Sequence, residues 1–129
     1  MTNLILLLLF SVSLVLPMPG PRNRPPVAAD DHYFILYHPV QEVEIPVLEN
    51  DTDPDGDVLH VTSVPAVDGG KVEIVDGEFI RIYIDWSQWV PDDYYTPVAH
   101  GTYVVSDGKA FTTANWAVWY FPEVPPATP

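Results

Sequence analysis

Cysteine is absent from this 129-residue chain, and cations are scarce, with 5 Lys plus Arg against 18 Asp plus Glu. Without cysteine there are no disulfides, no thiol chemistry and no thiolate zinc site, so the fold must rest on its hydrophobic core and on any metal it binds. The shortage of cations leaves a formal charge of -13. That balance argues against nucleic acid or anionic lipid as a partner. It fits a secreted protein in a calcium-rich medium, where bound cations relieve the self-repulsion. Helical periodicity is missing beyond residue 20, and long apolar runs are missing apart from Leu4 to Leu16, broken only by Ser11 and Ser13. That run, about thirteen residues, is short of the roughly 20 needed to span a bilayer and suits a secretory h-region. The preceding Met1-Thr2-Asn3 carries no basic side chain, and no A-x-A cleavage site follows. Residues 1–20 are therefore expected to be a signal peptide or an uncleaved N-terminal anchor. A membrane is met only through that segment, and the rest is expected to be secreted or at the cell surface.

What is present begins with proline, 15 residues clustered at both ends. Residues 21–29 read as a Pro-rich linker and 122–129 as a Pro-rich tail. Between them, residues 30–121 hold short strands punctuated by turns. Tyr33 to Tyr37 is aromatic and β-branched; Val43 to Val47 alternates, with Pro46 restricting it to an edge or a bulge. Val58 to Val64 and Lys71 to Val75 alternate in the same way, and Asp76-Gly77 turns into Glu78 to Ile84. Tyr103 to Ser106, the Asp107-Gly108 turn and Phe111 to Phe121 complete about seven strands at roughly 8–12 residue spacing, which describes an all-β sandwich.

The Asp51-Thr52-Asp53-Pro54-Asp55-Gly56-Asp57 segment carries the chemistry. Four carboxylates at alternate positions repel one another unless a cation sits between them. Hard oxygen ligands in a flexible loop suit Ca²⁺ better than Mg²⁺ or Zn²⁺. An EF-hand opens in this way but needs a Glu at its twelfth position, where this chain has Thr62, and needs flanking helices. A calcium loop between strands is expected, the competing reading being a solvated acidic turn.

Pro26 to Asp31, Ile45 to Asn50 leading into the Asp loop, and Leu59 to Val64 resemble the bacterial cadherin-like (Ig-like) repeat of tandem-repeat surface adhesins. Gly101-Thr102-Tyr103-Val104-Val105-Ser106-Asp107-Gly108 is similar to its penultimate strand and hairpin. The resemblance runs from Pro26 to Tyr120. It implies a seven-stranded Greek-key sandwich with Ca²⁺ bound at one end. This chain departs in having one repeat, in the bulky segment from Asp85 to His100, and in Gly101 where an aromatic residue is usual. In such a sandwich the Asp51, Asp53, Asp55 and Asp57 loop, the Asp107 turn and the approach carrying Asp30 and Asp31 share one pole, enough for one or two Ca²⁺. Asp30 and Asp31 read equally well as a solvated strand start, and Asp107 as a turn residue.

No enzyme is expected. His100, Ser106 and Asp107 lack the strained nucleophile turn and oxyanion hole of a triad. Adjacent Asp92 and Asp93 would point to opposite faces of a strand. Aromatic residues exceed what one small core needs: Trp86, Trp89, Tyr94, Trp116 and Trp119 are candidates for a partner-binding surface. The alternative is a thick core roofed by the Asp85 to His100 loop. The expected function is a non-enzymatic, calcium-stabilised extracellular module for adhesion or assembly, binding a protein, a copy of itself or a glycan. An accessory subunit held to the membrane by residues 1–20 is the alternative.

Overall fold

Branched and aromatic residues at every second position make pleated strands with one buried face, and seven such strands form in the computed structural model, which describes residues 13–91 and 95–123. In chain order they are β1 (Asp31–Tyr37), β2 (Glu42–Ile45), β3 (His60–Asp68), β4 (Gly70–Val75), β5 (Phe79–Ile84), β6 (Ala99–Ser106) and β7 (Phe111–Pro122). A short 3₁₀ turn, Trp86–Gln88, follows β5. One sheet has the order β1-β7-β6-β3 and the other β2-β5-β4. First and last strands run parallel, and the other pairings are antiparallel. The all-β sandwich expected from the alternation is the fold.

Local chemistry sets the turns. Asp76 and Gly77 take φ of 54° and 68°, the positive values that close the turn in which Glu78 N–H donates to Val75 O at 3.0 Å, within the three-residue connection between β4 and β5. Pro46 follows β2, which is an edge strand, where a missing backbone donor costs no ladder bond. β6 starts at Ala99, earlier than Tyr103, because His100 to Thr102 pair with Ala117 to Asn115.

Ile80, Ile82, Val105 and Val118 meet between the sheets with no exposure, joined by Tyr103 and Trp116. Trp116 corrects one expectation. Along β7 the inward positions are Ala114, Trp116, Val118 and Tyr120, so Trp116 is core and unavailable to a partner, while Trp119 faces outward. Gly101 explains the room it occupies. It pairs with Trp116, and a Cβ there would lie 2.9 Å from the indole and 2.0 Å from Ala66 O.

Tyr94, Asp92 and Asp93, residues 1–12 of the signal or anchor segment, and residues 124–129 lie outside the described residues. Among the described residues no helix is long and apolar enough to cross a membrane. Trp116→Ala should cost about 3–5 kcal/mol, as for other large buried aromatics, and Trp119→Ala much less. Urea unfolding of both variants is the check; equal losses would contradict the inward-outward assignment.

Candidate metal centre

The acidic loop joins β2 to β3 and turns around Asp53. Its Oδ1 accepts hydrogen bonds from the backbone N–H of Asp55 (2.8 Å) and of Asp57 (3.1 Å). Gly56, at φ 77°, provides the left-handed residue that this turn needs. Ligand oxygens of Asp53, Asp55 and Asp57 lie within 4.8 Å of one another. Asp53 Oδ2 is buried and has no hydrogen-bond partner.

Two other segments reach the same pole. Asn23 Nδ2 donates to Asp107 Oδ2 at 2.8 Å, and Asn23 Oδ1 is a second buried oxygen with no partner. Asp107 Oδ1 accepts from the N–H groups of Lys109 (2.7 Å) and Ala110 (2.6 Å). The Asn23 hydrogen bond, followed by these backbone donors, holds its carboxyl below the usual range. A buried acceptor left unpaired costs about 1–3 kcal/mol. Carboxylate and amide oxygens of this kind are the donors Ca²⁺ takes, so the residues present fit a hard divalent cation.

The chain also supplies its own cations. The Arg24 backbone N–H donates to Asp55 Oδ2 at 2.6 Å, its guanidinium Nε to Oδ1 at 2.8 Å, and its Nη2 to Pro54 O at 2.6 Å. These bonds depress the Asp55 carboxyl, the backbone donor most. Lys109 Nζ sits 3.0 Å from Asp57 Oδ2, which raises the ammonium above its ordinary value. Exposed pairs of this kind are screened by solvent and add little stability, so they blunt the acidic repulsion without filling the space of a divalent ion. Asn23, Arg24 and Lys109 were not legible as site residues. They lie in a segment read as linker and in a hairpin turn, and neither basic residue matches a ligand pattern.

The remaining expected ligands sit apart from the three converging carboxylates. Asp51 is buried beneath the loop, where Ala29 N–H donates to its Oδ1 at 2.8 Å and the Tyr103 hydroxyl lies 3.0 and 3.1 Å from its two oxygens. Asp31 is buried beside it, with Oδ2 unpartnered. Burial pushes Asp31 up to about 6 and raises Asp51 as well. Asp30 turns away, accepting from Asn115 N–H at 2.9 Å. One pole therefore carries all seven carboxylates, but they divide into the three that converge in the loop, Asp107 on the β6–β7 turn bound to Asn23, a buried pair under Tyr103 and an outward Asp30.

The aromatic candidates gather at the other end of the strands. Trp86 and Trp89 meet Tyr120 edge-on, with ring centroids 5.1 and 5.4 Å away. Trp86 Nε1 donates to Val40 O at 2.8 Å. They cap the core while remaining half-buried. Trp119 donates from Nε1 to His32 Nδ1 at 3.2 Å on the outer face of the four-stranded sheet.

A family model described as a bacterial Ig domain matches residues 23–118. Two solved structures of an endo-fucoidan hydrolase from glycoside hydrolase family 107, one of them a point variant, are similar at 16% and 15% identity, with TM-scores of 0.41 and 0.42. The similarity covers 78% and 77% of this chain and 14% of each hydrolase chain, so this chain spans a small part of their length. No curated protein matches.

The raised Asp31 gives a signed pH dependence. Its folded value of about 6 lies above the ordinary 3.8. The protonated form is favoured by folding, and that stability is present below pH 3.8 and lost as pH rises through about 6. Asp31→Asn should flatten the stability of the metal-free protein across that window, measured by chemical unfolding at a series of pH values. An unchanged slope would show that Asp31 is not the group responsible.

Proposed function

The chain belongs to the bacterial Ig domain family, and from that premise we propose that it is a calcium-stabilised, non-enzymatic surface module that works through contacts with other proteins. Domains of this family are typically non-catalytic and often form part of surface proteins. The observation that carries the calcium reading is the buried, unpartnered Asp53 Oδ2 among three carboxylates within 4.8 Å of one another. Asp53, Asp55 and Asp57 hold the ion, and Asn23 Oδ1 and Asp107 bring the N-terminal segment and the β6–β7 turn to it. A bound ion then ties three separate segments together at one pole, while Lys109 and Arg24 compete with it for Asp57 and Asp55. The exposed aromatic side chains on the four-stranded sheet and the Trp86–Trp89 cap supply contact area.

Ca²⁺ should raise the melting temperature and chelation should lower it. A ligand that binds only the folded state stabilises it by about 2.7 kcal/mol at a hundredfold excess over Kd. Asp53→Ala should remove most of that increment. Lys109→Gln should act in the opposite direction, tightening Ca²⁺ binding several-fold, because it removes a competing cation 3.0 Å from Asp57. Calorimetric titration with Ca²⁺ and thermal melts with and without chelator are the measurements. Identical melts in both conditions would sink the calcium reading.

A further inference from the structure

We propose that β1 is the assembly edge of this molecule, and that its occupant is β1 of a second copy of the chain, paired antiparallel about Phe34. The inference rests on the reading of the chain as a module that works through protein contacts, and it names the strand and the partner. An open sandwich has four edge strands, and natural sheets blunt such edges with charge, proline, bulges or shortness. Three edges here are blunted. β2 has four residues, carries Glu42 and Glu44, and runs into Pro46. β4 carries Lys71 and Glu73. β3 contains Pro65, and its register against β6 shifts between Val61 and Ser63 and again between Ser63 and Ala66.

β1 has none of these devices. Its seven residues pair with β7 one for one from Asp31 to Tyr37, without a shift. It contains no proline, lysine, arginine or glutamate, and its one carboxylate, Asp31, is buried. Among the described residues it pairs with β7 alone, so its outer backbone groups face no strand. Phe34 and Leu36 are each 55% exposed and Tyr37 is 59% exposed.

Charge selects the occupant. Apart from buried Asp31, the strands β1, β6 and β7 hold no Asp, Glu, Lys or Arg. The three-stranded sheet holds Glu42, Glu44, Lys71, Glu73 and Arg81. In a chain of formal charge -13, a second copy is repelled least where both surfaces are uncharged. The uncharged β1-β7-β6 face of one copy is therefore where the same face of another meets the least repulsion; the exposed carboxylate of that sheet, Asp68, lies on β3, the strand farthest from β1. Pairing about Phe34 sets His32 opposite Leu36 and Tyr33 opposite Ile35, and brings Asp30 to the second copy's His38 at each end of the seam. The two Phe34 rings then lie side by side, extending on each copy the stack that Phe34 already makes with Phe121 at 6.1 Å.

The absence of native cysteine makes single-cysteine mapping on the full chain unambiguous. A disulfide forms, with diamide as added oxidant, where Cα atoms come within about 4.4–6.8 Å, and facing residues of an antiparallel pair lie about 4.5 or 5.5 Å apart. Phe34→Cys should give a cross-linked dimer. Leu36→Cys should do so only when mixed with His32→Cys, and Phe111→Cys, 66% exposed on another strand, should not. By light scattering in millimolar Ca²⁺ the unsubstituted chain should show twice the single-chain mass, and Phe34→Lys the single-chain mass. A dimer that survives Phe34→Lys, as association through the apolar Leu4 to Leu16 run would give, overturns the proposal. So does a single-chain mass for the unsubstituted protein, including one that binds a glycan or an unrelated protein through β1. A single-chain species that still melts higher with Ca²⁺ leaves the surface-module reading standing. A dimer that does not respond to Ca²⁺ supports the edge and removes the calcium reading.

Discussion

The hydroxyl of Tyr103 is the point on which the acidic pole depends. It lies 3.0 Å from Ala29 O, 3.2 Å from Val47 O and 3.0–3.1 Å from both oxygens of Asp51. Three segments far apart in sequence meet there: the N-terminal approach, the start of the acidic loop, and β6. One phenolic proton cannot serve four acceptors at once, so Asp51 is stabilised also by Ala29 N–H. Burial and the neighbouring carboxylates raise the phenol itself, burial most, which keeps it a donor at any physiological pH. With Asp51 fixed beneath the loop, Asp53, Asp55 and Asp57 are left to converge above it, Asp53 and Asp57 half-buried and Asp55 exposed. Asp51 makes the knot, and the three carboxylates above it make the acidic cluster.

Charge is partitioned along the same logic. The acidic loop carries its like charges close together because Arg24 and Lys109 lie against it and because the turn around Asp53 uses one carboxylate to bind backbone. The three-stranded sheet carries charged pairs of its own, with Arg81 held 2.6 Å from Glu44 and 3.6 Å from Glu73. The sheet of β1, β7 and β6 is left without charge on its outer face. The β1-β7-β6 face therefore meets the least repulsion and is free to be covered, while Asp68 on β3 keeps a charge at the far edge of the same sheet.

Period-two alternation made most strands legible, and the convergence of Asp53, Asp55 and Asp57 was legible because alternate carboxylates around a glycine are a local pattern. Parity was harder. β7 carries a tryptophan on each face, so the sequence left open whether Trp116 or Trp119 packs inside. Gly101 on the paired strand decides it by leaving space for Trp116 alone. The same holds for Asp30-Asp31. Adjacent identical residues give no hint of which one is buried until the register of Asp31 with Trp116 is fixed. Asn23 and Arg24 were hidden for another reason. Their partners Asp107 and Asp55 are 84 and 31 residues away, and proline-rich sequence carries no pattern that announces such contacts. The segment read as linker is bound to the domain by these side chains and by the Val27–Thr52 bridge.

The acidic pole and the open edge are consecutive parts of one strand path. Asn23 meets Asp107, Arg24 meets Asp55, Val27 pairs with Thr52 and Ala29 meets Asp51, and two residues later β1 begins. Each of these contacts is made with the acidic loop or with the β6–β7 turn beside it. Anything that orders the loop therefore fixes the start of β1, and anything that loosens it frees the segment leading into β1. Parallel pairing with β7 cannot supply that constraint alone, because a parallel ladder is somewhat less stable per residue than an antiparallel one and β1 has no strand on its other side. A cation at Asp53, Asp55 and Asp57 would act on the edge through this path. It would set the register of β1 without touching it.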